Sequence, residues 1–229
     1  MDELKILYED NHIIVVIKPP NIPSQGDKTG DKDMLTIIKD YIKEKYNKPG
    51  NVYLGLVHRL DRPVGGVMVF AKTSKAAARL SEQVRNKVFK KEYLAIVDGS
   101  PKKKKDTLEN YLFKNEKTNM SKVVKEGTKN SKYAKLDYEV LKYNNEIDLS
   151  LLKILLHTGR HHQIRVQLSN MGHSICGDQK YGTRGRGKQI SLWAYKLTIE
   201  HPITKEEMSF LGLPEEIGPW VMIKDINIM

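Results

Sequence analysis

A chain of 229 residues with 39% apolar and 29% charged residues is long enough to bury a core and too apolar to be disordered. Its 39 Lys plus Arg against 28 Asp plus Glu leave a net charge of +11, which points to a polyanionic partner, nucleic acid ahead of anionic membrane. No apolar run approaches the ~20 residues that span a bilayer, the N-terminus MDELKILYED lacks a signal-peptide pattern, and a single cysteine, Cys176, excludes an internal disulfide and fits a reducing cytosol.

Residues 4–18 read as two strands around a turn at Asp10-Asn11, after which Pro19-Pro20 and Pro23 stiffen an extended crossing towards Gly26. From Asp33 to Tyr46 the spacing of Leu35, Ile38 and Ile42 predicts a helix with Asp33 as N-cap. The stretch VHRLDRPVGGVMVFAKT (57–73) sets a polar cluster, His58, Arg59, Asp61 and Arg62, before a strand that opens at Gly65-Gly66. Pro63 biases Arg62 towards extended backbone, so the cluster sits on a loop or strand end. A carboxylate between two guanidiniums stays ionised, suited to act as nucleophile or base; equally, Asp61 could merely neutralise its neighbours.

Ser74 is expected to cap a second helix, KAAARLSEQVRNK, with Leu80 and Val84 facing the core. Residues 88–99 alternate as a strand that places Phe89, Lys91, Tyr93, Ala95 and Val97 on one side. Tyr93 is either an ordinary core residue or, if it lines a cleft, a stacking face with an exchangeable proton. From Pro101 to Lys135, 11 lysines against 4 carboxylates predict a mobile, solvated excursion able to hold phosphates without reading sequence. Residues 131–142 and 147–157 read as two further strands.

Arginine is used sparingly, 8 against 31 lysines, and Arg59, Arg62, Arg160, Arg165, Arg184 and Arg186 fall in three short stretches. A Lys-rich chain that places Arg so selectively needs a planar donor fork there, and these stretches are candidates for a shared site. In LLHTGRHHQIRVQLSNMG (155–172) a helix is predicted from near His161 to Gly172, with Arg160 and Arg165 near its anion-favouring N-terminus. His157 and His161 stand four apart as zinc ligands can, but interleaved arginines would repel a cation, so no metal is expected. GDQKYGTRGRGK (177–188) is glycine-rich without being a nucleotide-binding motif. A last strand, SLWAYKLTIEHP, precedes an end in which Trp220 packs.

Five segments in order resemble the RluA-type family of RNA pseudouridine synthases: HRLDRPVGG (58–66), KKEYLAIVDG (90–99), LLHTGRHHQIRVQL (155–168), GDQKYG (177–182) and LWAYKLTIEHP (192–202). Two departures stand out, Val64-Gly65-Gly66 where the family commonly has Thr-Ser-Gly, and His161 where it commonly has Thr. The resemblance implies an α+β pseudouridine synthase fold: a long, mixed, mostly antiparallel sheet flanked by helices, with a central RNA-binding cleft, in one catalytic domain over 1–229. The S4-type module of many relatives is not expected ahead of it.

The resemblance also assigns roles. Asp61 would attack the target uridine at sugar C1′ or base C6, Tyr93 would stack on the base and take the C5 proton, and Arg165 would pair with Asp61. Arg59 would help extrude the nucleotide. His58, Arg62, Arg160, His161 and Gln163, with Lys102, Lys103, Lys104 and Lys105, complete the expected RNA-binding set. The implied reaction isomerises uridine in structured rRNA or tRNA without a cofactor, in a cytoplasmic monomer. Rival readings are an inactive RNA-binding protein of the same fold, a glycoside hydrolase, which would want a second carboxylate beside Asp61, and a Lys-rich ribosomal structural protein. Which RNA and which uridine the sequence leaves open.

Overall fold

A computed structural model describes residues 4–182, 185, 187–224, 226 and 228. The chain forms two compact units, the first made of 1–90 with 194–213 and the second of 91–193 with 214–229.

The first unit opens with β1 (Ile6–Glu9) and β2 (Ile13–Lys18), joined at Asp10, whose carboxylate accepts the N–H groups of His12 and Ile13 at 2.8 and 2.7 Å. Next come α1 (Met34–Lys45), β3 (Gly55–Leu56), β4 (Gly65–Ala71) and α2 (Ser74–Arg85). Asp33 caps α1 by accepting the N–H of Thr36 at 3.0 Å, and Met34, Ile38 and Ile42 are buried. The cap of α2 is Thr73 rather than Ser74: the Thr73 hydroxyl accepts the N–H of Ala76, which makes Ser74 the first helical residue. Its core face carries Ala76, Leu80 and Gln83, with Val84 only half-buried. Gln83 is buried because its amide clamps the backbone of Glu200, donating at 2.7 Å and accepting at 3.1 Å.

The second unit contains β5 (Lys90–Asp98), β6 (Lys105–Asn115), β7 (Met120–Val124), β8 (Lys132–Asn144), β9 (Leu149–Leu156) and α3 (Gln163–Asn170). The chain then re-enters the first unit along β10 (Leu192–Glu200) and β11 (Glu207–Leu211).

In the first unit the strands run in the order β1-β2-β4-β10-β11, with β3 also on β4. Every residue of β2 and of β4 is buried, which explains the unbroken apolar runs IIVVI and VMVFA. Gly66 lies on β4 at φ +128°, and a Cβ there would fall 2.2 Å from the carbonyl oxygen of Ala194, so neither backbone nor space admits a side chain.

In the second unit the order is β5-β9-β8-β6-β7, each pair antiparallel. The basic stretch 101–135, expected to be a mobile excursion, is built into this sheet as β6, β7 and the start of β8. Its lysines conceal an alternation: Leu112 and Ala134 turn inward to pack with Val166 of α3, while Lys105, Glu109 and Lys135 face outward among ion pairs. The helix α3 ends in a Schellman turn, in which Gly172 at φ +88° donates to Ser169 and His173 to Leu168, each at 3.0 Å. Trp220 is buried on a short 3-10 helix, Gly218–Ile223. No helix among the described residues is long and apolar enough to cross a membrane.

Candidate active site

Asp61 lies in the loop between β3 and β4, half-buried, beside an exposed Arg59. Segment 18–24 grips the backbone on both sides of it. The hydroxyl of Ser24 donates to the carbonyl of Leu60 at 2.9 Å and accepts its N–H at 3.2 Å. The carbonyl of Arg62 accepts from Asn21 N–H at 2.8 Å and from the Lys18 ammonium at 3.0 Å. Val64 N–H closes the turn onto the carbonyl of Asp61 at 2.9 Å.

Lys18 is fully buried and also donates to the carbonyls of Pro19 and Ile22, at 2.9 and 2.7 Å, so all three ammonium protons are placed. Burial pushes its pKa down to about 7, with the negative charge of Asp61 opposing the shift and Arg62 deepening it. Lys18 is thus a cation whose charge interacts with that of Asp61 within this unit, and the sequence reading missed it. Its signal was a lysine closing an otherwise wholly apolar strand immediately before Pro19-Pro20.

Arg62 was expected to flank Asp61 but turns to its own neighbouring loop. Its guanidinium donates to the carbonyl of Asn21 at 3.1 Å, to Thr29 at 3.0 Å and to Asp31, with Asp27 at 3.6 Å. His58 accepts the N–H of Val69 at 3.1 Å and sets its ring edge-on to Phe89. The Arg59 side chain is the one this stretch turns fully outward.

In the second unit Tyr93 is buried on β5, opposite Ile154. The segment 157–165 is organised by Gln163, whose side-chain oxygen accepts from Thr158 at 2.8 Å and from Arg160 N–H at 3.0 Å. Its amide nitrogen donates to Lys135 and Gln167, at 3.1 and 3.0 Å. Arg160 donates its Nε to the carbonyl of Tyr133 at 2.8 Å, and His161 meets the hydroxyl of Ser121 at 2.9 Å.

The expected helix start at His161 moves to Gln163 because His162 takes a left-handed backbone, φ 53°. Its Nδ1 lies 2.8 Å from the hydroxyl of Tyr181, which already accepts the N–H of Ser121 at 2.8 Å. A neutral His162 with an unprotonated Nδ1 can accept the hydroxyl proton, so this contact suits the uncharged ring.

Arg165 is 4% exposed and meets Asp178 bidentately, Nε to Oδ2 at 2.8 Å and Nη2 to Oδ1 at 2.6 Å, with the Tyr181 ring 5.2 Å from its guanidinium carbon. Asp178 Oδ1 also accepts the N–H groups of Lys180 and Tyr181, at 2.9 and 3.2 Å. GDQKYG is therefore an Arg165-binding turn, a role its sequence pattern did not disclose.

Lys102 to Lys105 sit at the far end of β6, where Lys103 pairs with Asp106 at 3.0 Å and Lys105 with Glu139 at 2.9 Å. That is four strand positions, roughly 14 Å, from Glu109, which pairs with the Lys135 side chain beside the 157–163 segment. Arg184 and Arg186 lie outside the described residues.

His162 supplies a pH prediction. Burial, with the charges of Arg165, His161, Lys180 and Lys114, pushes its pKa down to about 2 from an ordinary 6.5. Between those values the unfolded chain binds a proton that the folded chain refuses. This stability is fully present above pH 6.5 and is lost as pH falls, by up to about 1.4 kcal/mol per pH unit. Urea titrations at pH 7, 6 and 5 should show a steeper acid loss in the native protein than in His162→Asn, whose side chain tolerates the left-handed backbone. Equal slopes would refute this role of His162.

Two solved structures share this fold. Human RNA Pseudouridylate Synthase Domain Containing 4 matches with a TM-score of 0.78 and 23% identity, over 95% of this chain and 90% of that one. Human RNA Pseudouridylate Synthase Domain Containing 1 matches with a TM-score of 0.73 and 24% identity, over 95% and 86%. The fold is that of a pseudouridine synthase. A family model described as RNA pseudouridylate synthase matches residues 12–170, and the chain belongs to that family.

Among its relatives, the Uncharacterized RNA pseudouridine synthase YhcT of Bacillus subtilis is 35% identical over 207 residues, 89% of this chain and 66% of the relative. The Ribosomal large subunit pseudouridine synthase C of Haemophilus influenzae is 31% identical over 216 residues, 91% of this chain and 64% of the relative. The chain spans about two thirds of the length of these relatives.

Proposed function

We propose that this protein isomerises specific uridines of structured RNA to pseudouridine, that the two units act as one catalytic domain, and that Asp61 is the attacking carboxylate. The observation that carries the reading is the gripped loop: Ser24, Asn21 and Lys18 hold residues 60 and 62 by their backbone and so fix the place from which the Asp61 carboxylate projects. Asp61 attacks sugar C1′ or base C6, the bond between C1′ and N1 breaks, the uracil turns and joins C1′ through C5, and the bond to Asp61 breaks to return the carboxylate. The C5 proton passes to a base, assigned to the Tyr93 hydroxyl, and N1 gains one. Atoms and electrons balance within the nucleotide, so the step needs no cofactor.

The target base must leave its stack, at a cost of a few kcal/mol. The exposed Arg59 is the assigned lever, and Arg165, held by Asp178, is the residue assigned to orient the attacking carboxylate. Relatives named for the large ribosomal subunit favour ribosomal RNA over transfer RNA as substrate.

The test is a transcriptome-wide pseudouridine map in cells with and without the gene, backed by purified protein acting on the RNA it nominates. Sites that vanish with the gene and return in vitro establish the reaction and name the substrate; purified protein that binds this RNA without converting it leaves a binding protein instead.

Grip on the RNA has its own prediction. Lys102 and Lys104 have no side-chain partner among the described residues, so they are the free cations of their cluster. Reversing both to Glu should weaken RNA binding and lower the slope of log affinity against log salt by at least about 1.4. An unchanged slope would place the RNA elsewhere.

A further inference from the structure

The buried ammonium groups of this protein are generally provided for. Lys18 meets three carbonyls, and Lys72 meets Glu9 at 2.6 Å and the carbonyl of Asp10 at 2.5 Å. Lys91 is the exception. It stands on β5 opposite Leu156, two residues before Tyr93 opposite Ile154, so the two side chains share a face. It is half-buried, and burial alone pushes it below the usual lysine range. Among the described residues its ammonium has no hydrogen-bond or ion-pair partner.

The nitrogen is directed at the turn of the 157–163 segment. A Cβ on Gly159 would lie 3.4 Å from it, so this glycine leaves the ammonium room at an exposed turn. The next residue, Arg160, is exposed, and its Nε is committed to the carbonyl of Tyr133. Its two terminal nitrogens, like Lys91, have no partner among the described residues. Two cations with unused donors at one surface turn form a receptor for an anion with several oxygens, an ammonium serving as point charge and a guanidinium as fork.

We infer that Lys91, with Arg160, seats a backbone phosphate of the RNA at the Gly159 turn, at or next to the nucleotide whose base meets Tyr93. The inference rests on the RNA-modifying reading above and adds a contact that reading does not need. It explains why a desolvated, unpaired charge is tolerated on β5: the phosphate supplies the missing partner when RNA binds.

Lys91→Met tests it. Removing an unpaired, desolvated charge should leave the thermal midpoint equal or higher. RNA affinity at fixed salt should fall roughly tenfold, and the salt slope should decrease by about 0.7 to 0.9, one phosphate contact. One methylphosphonate placed at the target nucleotide should cost the native protein a similar factor and Lys91→Met almost nothing further. A variant with a lowered midpoint and an unchanged salt slope would make Lys91 a structural residue and overturn the inference. If the native protein itself fails to bind or convert RNA, the RNA reading falls, whereas native turnover with an indifferent Lys91→Met removes this contact alone.

Discussion

Asp61→Asn should lower the single-turnover rate of pseudouridine formation by roughly 10⁴-fold or more, the loss seen when a group acting directly on the reacting atoms is removed. The amide has nearly the same volume as the carboxylate but neither the charge nor the nucleophilicity to attack C1′ or C6. The contacts that shape the loop, from Ser24, Asn21 and Lys18, go to backbone atoms of residues 60 and 62 and survive the substitution. Fold and RNA affinity should therefore stay within about threefold, confining the damage to the chemical step. The Asp61 charge also supports the proton on Lys18, so the variant should drive Lys18 further below about 7. Purified RNA converted by the variant within tenfold of the native rate would remove Asp61 from the mechanism.

The loop was legible in the sequence because its information is local. Gly65-Gly66 marks a strand start, Pro63 biases its neighbour towards extended backbone, and the run VMVFA reads as the strand that the structure buries throughout. The helix α1 was legible for the same reason, since Asp33, Ile38 and Ile42 state its cap and its buried face within one segment. What failed locally was settled at a distance. The lysines of 101–135 outweighed an alternation in β6 that is apolar only where α3 covers it, at Leu112 and Ala134. The strand β11 buries one residue, Phe210, and owes its existence to pairing along β10. Lys18 and Asp178 resemble ordinary polar residues until the chain brings Arg62 to one and Arg165 to the other, 44 and 13 positions away.

Asp178→Asn should produce the largest loss of stability among single changes in the second unit. Its carboxylate is 0% exposed and takes two hydrogen bonds from an Arg165 side chain that is 4% exposed, so removing the charge leaves a guanidinium without its bidentate partner in a dry site. Breaking a buried pair from one side costs about 3–5 kcal/mol, which in a protein of this size is roughly 10 °C in the melting midpoint. The new amide oxygen still accepts from Lys180 and Tyr181, so the turn itself persists and the loss reports the charge. Replacing both partners, with Arg165→Met and Asp178→Leu, should recover much of the stability because no orphaned charge remains. Activity separates the two roles of the pair. If Asp178 fixes the fork of Arg165 for catalysis, both variants stay slow at temperatures where they are fully folded, and the double variant is stable yet inactive. A double variant that regains turnover along with its melting temperature would reduce the pair to a fold device and strip Arg165 of its assigned role.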